Sequence, residues 1–523
     1  MDVRGLMRQA ARLNAKRLAV IHGDRQLTFD EAWWRGLRMA NALLSLGLEP
    51  GDRVGVLEDN SIEAQDFFAG ATAANLVRVP LYARNSRESH VHMLTHTGCR
   101  AVIVAEHYAE EIESIRDELP TVEHVIVRGR HDGATYENWL AGFSDAEPDV
   151  EIDPDDWYII RHTGGTTGKS KGVAYSHRSW LAAGRDWFYN FPPMVAGERC
   201  LHVGPISHGS GYLYTPTWLS GGCNVLLDHF DPADTIEVME RERIGYMFAV
   251  PAMLNALARE PSARDRDWSA LKVLQIGGAP IADETALLAR EVFGNVLYQG
   301  FGQTEALPVC MMGPDEWFSE VEGSTPLRST GRALPFAYLQ IRDPDDSTVE
   351  VPLGEEGEIA VKCDGQMLGF WENAEATAER ITPDGFVLSG DIGRLDENGY
   401  LYVLDRKDDM IISGGFNIWP AELENVILDH PAVVEVAVFA VPHERWGESP
   451  MAVCAVVDGT PVDDAAIADE ITALCADRLG SYKKPAAVEL RAEALPKSPV
   501  GKIQRRALRE PHWAGHDRRV AGT

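Results

Sequence analysis

Ten consecutive residues, Thr163-Gly164-Gly165-Thr166-Thr167-Gly168-Lys169-Ser170-Lys171-Gly172, carry the plainest chemical signal in the chain. Glycines and short hydroxyl side chains expose backbone N–H groups, so an anion can approach the main chain closely. Two lysines add positive charge. The chemistry is that of a phosphate cradle. Gly168-Lys169-Ser170 matches the end of a Walker A loop, but that motif needs glycine five residues before Gly168, where Thr163 stands. Taken alone, the loop is compatible with a phosphate site outside the Walker class or with a plain connection.

Four further segments group glycine with reactive side chains. They are Gly277-Gly278-Ala279-Pro280, Phe301-Gly302-Gln303-Thr304-Glu305, Ser389-Gly390-Asp391 and Lys497-Ser498-Pro499-Val500-Gly501-Lys502. The elements expected to position them follow from patterning. Trp157-Tyr158-Ile159-Ile160 reads as a buried strand leading into the first loop, Leu271 to Ile276 as a strand before Gly277, and Asn295 to Tyr298 as a strand before a loop at Phe301 to Glu305. Upstream, Thr28 and Glu31 form a T-x-x-E capping box, and Trp33, Leu37, Ala40 and Leu44 recur at helical spacing until Gly47. Strands are also expected near residues 53–57, 76–81, 200–203 and 224–227, alternating with helices. The fold class is therefore α/β, with a mainly parallel sheet in a large N-terminal domain.

From about 329 to 404 the texture changes to short strands and Gly/Asp/Pro turns, which predicts a β-rich subdomain. Asp405 to Asp409 is charged and has no apolar residue, which suits an interdomain hinge. The expected organisation is a domain over 1–404, a hinge at 405–409 and a small α+β domain over 410–523 that carries Lys502.

Composition sets limits. The 523 residues exceed one compact core, and 49 Lys plus Arg against 80 Asp plus Glu give a net charge of −31. Such a surface repels nucleic acid and anionic membranes, so a polyanion must be held at a local site. No apolar run has membrane-spanning length and no signal-peptide core follows Met1, so a cytoplasmic location is expected. The seven cysteines are scattered without C-x-x-C spacing, and they read as small buried residues outside any disulfide framework or zinc site.

In this order, the five segments resemble the adenylate-forming superfamily of acyl-CoA synthetases, aryl-CoA ligases, luciferase and peptide-synthetase adenylation domains, over about Leu18 to Arg506. The resemblance implies ATP, Mg²⁺ and coenzyme A as cofactors. Thr163, Gly164, Gly165, Thr166, Thr167, Gly168 and Lys171 would hold the β- and γ-phosphates, with Gly164 and Ser170 departing from the commoner Ser and Pro. Thr304 would bind the α-phosphate and Glu305 the metal, and Phe301, in place of the commoner Tyr, would stack on adenine. Gly278, Ala279, Pro280 and Gly302 would complete the nucleotide contacts. Asp391 and Arg406 would hold the ribose, or serve as a turn residue and a surface ion pair. Lys502 would lie between the carboxylate and the α-phosphate. Rotation about Asp408 would bring Gly414 and Gly415 to the pantetheine arm. His208 is either a gate beside the carboxylate or a packed histidine.

The acyl pocket of such enzymes is lined by the segments matching Pro205–Gly211, Ile276–Ala279 and Gly300–Val309, here small and apolar, which favours an aryl, arylpropenoyl or fatty acid. The implied reaction is acid:CoA ligation through an acyl-adenylate. A carrier-protein thiol, an amine or nitrite remains open as acceptor, as do a homodimer, and a nucleotide-binding protein without turnover is the non-enzymatic alternative.

Overall fold

The computed structural model describes residues 1–81, 85–131, 134–163, 170–204, 206, 210–279, 281–413, 416–443, 446–457, 459–462, 465–480, 483–497 and 503–514. The chain divides into two compact units. The first comprises Met1–Leu339, Val361–Val387 and Asn398–Tyr400, and the second Gln340–Ala360, Leu388–Glu397 and Leu401–Thr523.

Two sheets organise the first unit. In the larger, the parallel strands Leu297–Gln303, Val273–Ile276, Tyr246–Ala249, Arg199–His202, Cys223–Leu226 and Leu18–His22 lie side by side in that order. Antiparallel neighbours Ala306–Met312 and Arg25–Thr28 extend it on either side. The parallel centre is covered by helices, as crossover connections require. In the smaller sheet, Val77–Pro80, Arg53–Leu57, Ala101–Ala105 and His124–Arg128 run parallel, and Trp157–Thr163 joins Val77–Pro80 in parallel before turning back as Lys171–Ser176. The predicted α/β class with a mainly parallel sheet is therefore found.

Local sequence explains several boundaries. The helix Phe29–Ser45 begins at Thr28, whose Oγ1 accepts from Glu31 N at 3.3 Å while Glu31 Oε2 accepts from Thr28 N at 2.8 Å. This is the expected capping box. The helix Ile62–Ala73 is buried on nearly every face, consistent with its small and aromatic residues. All seven cysteines are free and buried. Among the described residues no helix is long and apolar enough to cross a membrane.

One expectation is corrected. The chain does not leave its strand at Tyr298: the strand runs on through Gln303, and Thr304-Glu305 is the turn of a hairpin into Ala306–Met312. Glycine permits this close pairing, since a Cβ on Gly302 would meet Leu307 Cδ2 at 2.8 Å and Ala306 O at 3.2 Å.

A sheet built on Gly357–Cys363, Val387–Leu395 and Leu401–Arg406 lies mostly in the second unit, which also holds a sheet whose middle strand Gly447–Val456 pairs with Ile411–Ser413, with Ala487–Arg491 and with the edge strand Val433–His443. The helices Pro420–Ile427 and Ala465–Leu479 bury Leu423, Ile427, Ile471 and Cys475 among the strand residues Val436, Val438, Ala452 and Cys454. The stretch read as a hinge, 405–409, lies inside this unit. There Asp405 and Arg406 are the last residues of a strand, and a single 3₁₀ turn spans Lys407–Asp409.

Candidate active site

The glycine- and threonine-rich loop joins two paired strands, with Thr163 opposite Lys171 in the antiparallel ladder. Gly164 to Lys169 lie outside the described residues, as do His208, Pro280, Gly414, Gly415 and Lys502. The feet of the loop are described. Lys171 Nζ stands 5.1 Å from the centroid of the Phe370 ring, on the strand Gly369–Phe370 that pairs with Lys171–Ser176.

Thr304 and Glu305 occupy the tip of their hairpin within the same unit. The Tyr175 hydroxyl, from the strand that leaves the loop, donates to the Thr304 carbonyl at 2.6 Å. Burial pushes the Tyr175 phenol well above its ordinary pKa, so it remains a donor. The Glu305 backbone carbonyl accepts from Met367 N at 2.8 Å, and its carboxylate, in a residue only 7% exposed, has Arg380 Nη2 at 3.9 Å. A buried carboxylate at the end of a hairpin turn is a hard oxygen donor that fits a magnesium ion.

Next to the hairpin, Gly278 adopts φ +87, which glycine accepts freely, and a Cβ on Gly277 would meet Gly300 O at 3.1 Å. Gly277 and Gly300 therefore bring two backbones together where Phe301 and Gly302 follow. Ile276, Leu307 and Val309 are buried around them.

In the second unit, Asp391 and Arg406 are direct cross-strand partners, and Arg406 Nε lies 2.8 Å from Asp391 Oδ1. The Asp391 side chain is buried while that of Arg406 is 41% exposed, so the pair has a buried acceptor and a solvent-facing cation. The neighbouring Gly390 N donates to Glu358 Oε1 at 3.0 Å, and Lys407 Nζ holds the other Glu358 oxygen at 2.9 Å.

Several supporting residues carry no local sequence signal. Tyr175, Arg380 and Glu358 are among them, and so is Arg505. Arg505 lies in the helix Arg505–Arg509 and bonds Glu424 through Nε at 2.9 Å and Nη2 at 2.5 Å; its Nη1 reaches Asp405 Oδ1 at 3.3 Å and Asp409 Oδ2 at 3.2 Å. Burial raises the Asp405 carboxyl to about 6, against the opposing pull of Arg505.

Comparison with known proteins agrees with this arrangement. A family model described as AMP-binding enzyme matches residues 6–371, and one described as AMP-binding enzyme C-terminal domain matches 422–502. A feruloyl-CoA synthase of an Amycolatopsis species is 34% identical over 504 residues, covering 95% of this chain and 96% of that protein. A medium/long-chain-fatty-acid–CoA ligase of Mycobacterium tuberculosis is 31% identical over 522 residues, covering 95% and 88%. The structure of ATP-bound MatB from Rhodopseudomonas palustris superposes with a TM-score of 0.87 at 27% identity, covering 99% of this chain and 100% of that one. With both family models matched in order along one chain, the protein belongs to the AMP-binding, adenylate-forming enzymes, on their acyl-CoA ligase branch.

Proposed function

We propose that the protein is an ATP-dependent carboxylic acid:coenzyme A ligase for an arylpropenoyl or similar apolar acid. The observation that carries the adenylation reading is the Tyr175–Thr304 bond, which couples the strand leaving the glycine loop to the Thr304-Glu305 hairpin tip. A loop for the outer phosphates and a tip for the α-phosphate and a metal ion belong together in an enzyme that cleaves ATP between its α- and β-phosphorus atoms.

The substrate carboxylate oxygen attacks the α-phosphorus. The new bond is acyl–O–P, the bond broken joins the α-phosphorus to the β-phosphate oxygen, and pyrophosphate leaves. Thr304 holds an α-phosphate oxygen, and the residues of the loop hold the departing pyrophosphate. Glu305 would hold Mg²⁺, which when bound neutralises phosphate charge. Asp391 accepts from the ribose hydroxyls with Arg406 beside it. Lys502 would lie between the two anions; at about 4 Å and an effective dielectric near 20, one such contact is worth about 4 kcal/mol, or nearly three decades of rate. In the second half-reaction the coenzyme A thiolate attacks the acyl carbon, AMP leaves with the bonding electron pair, and Gly414 and Gly415 would give the pantetheine arm room.

The feruloyl-CoA synthase relative supports an arylpropenoyl acid, and so do the small Gly277 and Gly300 beside the apolar Ile276, Leu307 and Val309. The test is pyrophosphate release over hydroxycinnamic and fatty acids, with and without coenzyme A, followed by product masses. Hydroxycinnamoyl thioesters are the expected product; preference for fatty acids would overturn the acid class, and orthophosphate in place of pyrophosphate would overturn the reaction. Lys502→Ala should abolish pyrophosphate release yet still convert supplied acyl-adenylate to thioester.

A further inference from the structure

A cluster of three histidines lies beside the glycine loop and has no part in the chemistry above. His92 and His96 are four residues apart on the helix Arg87–Thr97, so they share a face, and their rings stack with centroids 5.3 Å apart. His162 comes from the strand Trp157–Thr163, one residue before the foot of the loop, and is 2% exposed. Its Nε2 is 3.4 Å from His96 Nδ1. One ligating nitrogen from each of the three lies within 4.8 Å of the others, and among the described residues this is the group of His, Cys, Asp or Glu that meets that condition.

We propose that His92, His96 and His162 form a binding site for a transition-metal ion of the Zn²⁺ class. Zn–N bonds of about 2.0–2.1 Å at tetrahedral angles place ligand nitrogens about 3.3 Å apart. The His96–His162 pair already has this spacing. No separation in the set exceeds 4.8 Å, so the widest needs to close by at most about 1.5 Å, which a rotation of a half-buried helix side chain supplies.

The second shell fits as well. His92 Nε2 lies 2.8 Å from the Ser170 carbonyl, which can only accept, so this nitrogen carries the proton and Nδ1 keeps its lone pair. A ligating imidazole that donates its other N–H to a backbone carbonyl is the usual arrangement around bound zinc. Three imidazoles select zinc, nickel or copper over magnesium or calcium, which prefer oxygen, so this site is separate in kind from the one at Glu305. An ion here would clamp both feet of the loop, Thr163 through His162 and Ser170 through His92, to one helix.

The test uses the full chain stripped with a chelator and titrated with Co²⁺, then Zn²⁺. One Co²⁺ per chain should bind with the visible absorption of a four-coordinate, nitrogen-ligated ion. Zn²⁺ should displace it and raise the melting temperature. In His96→Gln, affinity should fall at least tenfold and the thermal shift should vanish. His92→Gln serves if His96→Gln melts early without metal. No stoichiometric binding by the wild type, or equal binding by both variants, would overturn the site. Pyrophosphate release by the metal-stripped wild type, assayed with Mg²⁺, is read separately, so failure of the ligase reading and failure of this site are distinguishable.

Discussion

The Tyr175 hydroxyl donates to the Thr304 carbonyl at 2.6 Å across 129 residues of sequence. Tyr175 stands on the strand that leaves the glycine loop, so this bond sets where the hairpin tip sits relative to the loop. Tyr175→Phe keeps the ring and removes the donor. A neutral hydrogen bond of this kind is worth about 0.5–1.5 kcal/mol, so kcat/KM for ATP should fall roughly three- to tenfold while the KM for the acid changes less. Pyrophosphate-release kinetics with each substrate varied in turn will measure this. An unchanged ATP dependence would mean that the hairpin is held by its ladder alone.

Arg505 is three residues beyond Lys502 and is fixed to Glu424, Asp405 and Asp409. Removing one partner of a buried ionic cluster leaves the others uncompensated, typically at 3–5 kcal/mol. Arg505→Met should destabilise the second unit by about that amount in urea denaturation. Arg505→Lys should rescue little, because an ammonium cannot reproduce the two-pronged contact with Glu424. Adding Asp405→Asn should recover part of the loss, since Asp405 is the most deeply buried acid of the group. Additive losses in the double variant would contradict the coupling.

His177 and His202 give the first unit a pH dependence. Burial lowers both imidazoles from 6.5 to about 4. The neutral His177 ring is fully used: its Nδ1 accepts from Val3 N at 3.3 Å and its Nε2 donates to Asn75 Oδ1 at 3.1 Å. A depressed histidine contributes stability that is present in full above the unfolded value near 6.5 and is lost as pH falls toward 4. Between these values the unfolded chain binds two more protons, so these groups add a slope of about 2.7 kcal/mol per pH unit. The Asp66 and Asp405 carboxyls, raised by burial to about 6, oppose this slope over the same window, so the contribution is read as a difference: His177→Gln should reduce the slope below pH 6 by about half of that amount. Denaturant titrations of both proteins at pH 5, 6 and 7 test the sign and the size, and equal slopes would refute it.

The sequence made some of these features legible and hid others for physical reasons. The Thr28 and Glu31 capping box is visible because both partners lie within one helical turn. The strand Trp157–Thr163 shows itself by its aromatic and β-branched run. Ala306–Met312 does not, because a strand buried at every position has no polar alternation and Pro308 argues against a ladder. Without that strand, the hairpin tip at Thr304-Glu305 reads as a loop. The partners of Arg505 are 81 to 100 residues away, and Tyr175 looks like any other core aromatic until the Thr304 carbonyl is beside it. Asp391 and Arg406 are legible in the sequence only through family resemblance, and their pairing across two strands is a fact of register.

Gln275 is fully buried on the strand Val273–Ile276, and neither its Nε2 nor its Oε1 has a partner among the described residues. Its Nε2 lies 3.3 Å from where a Cβ on Gly300 would stand, beside the expected acyl pocket. A buried amide without partners costs about 1–3 kcal/mol. Gln275→Leu removes that cost at similar volume, so the melting temperature should rise. An amide kept at such a cost would be used by a polar group of the acid, and a site built to bond a hydroxyl discriminates strongly against acids that lack it. Gln275→Leu should therefore raise KM for hydroxycinnamic acids and leave KM for the unsubstituted cinnamic acid nearly unchanged. A variant that is more stable with equal KM for both acids would assign Gln275 to packing alone.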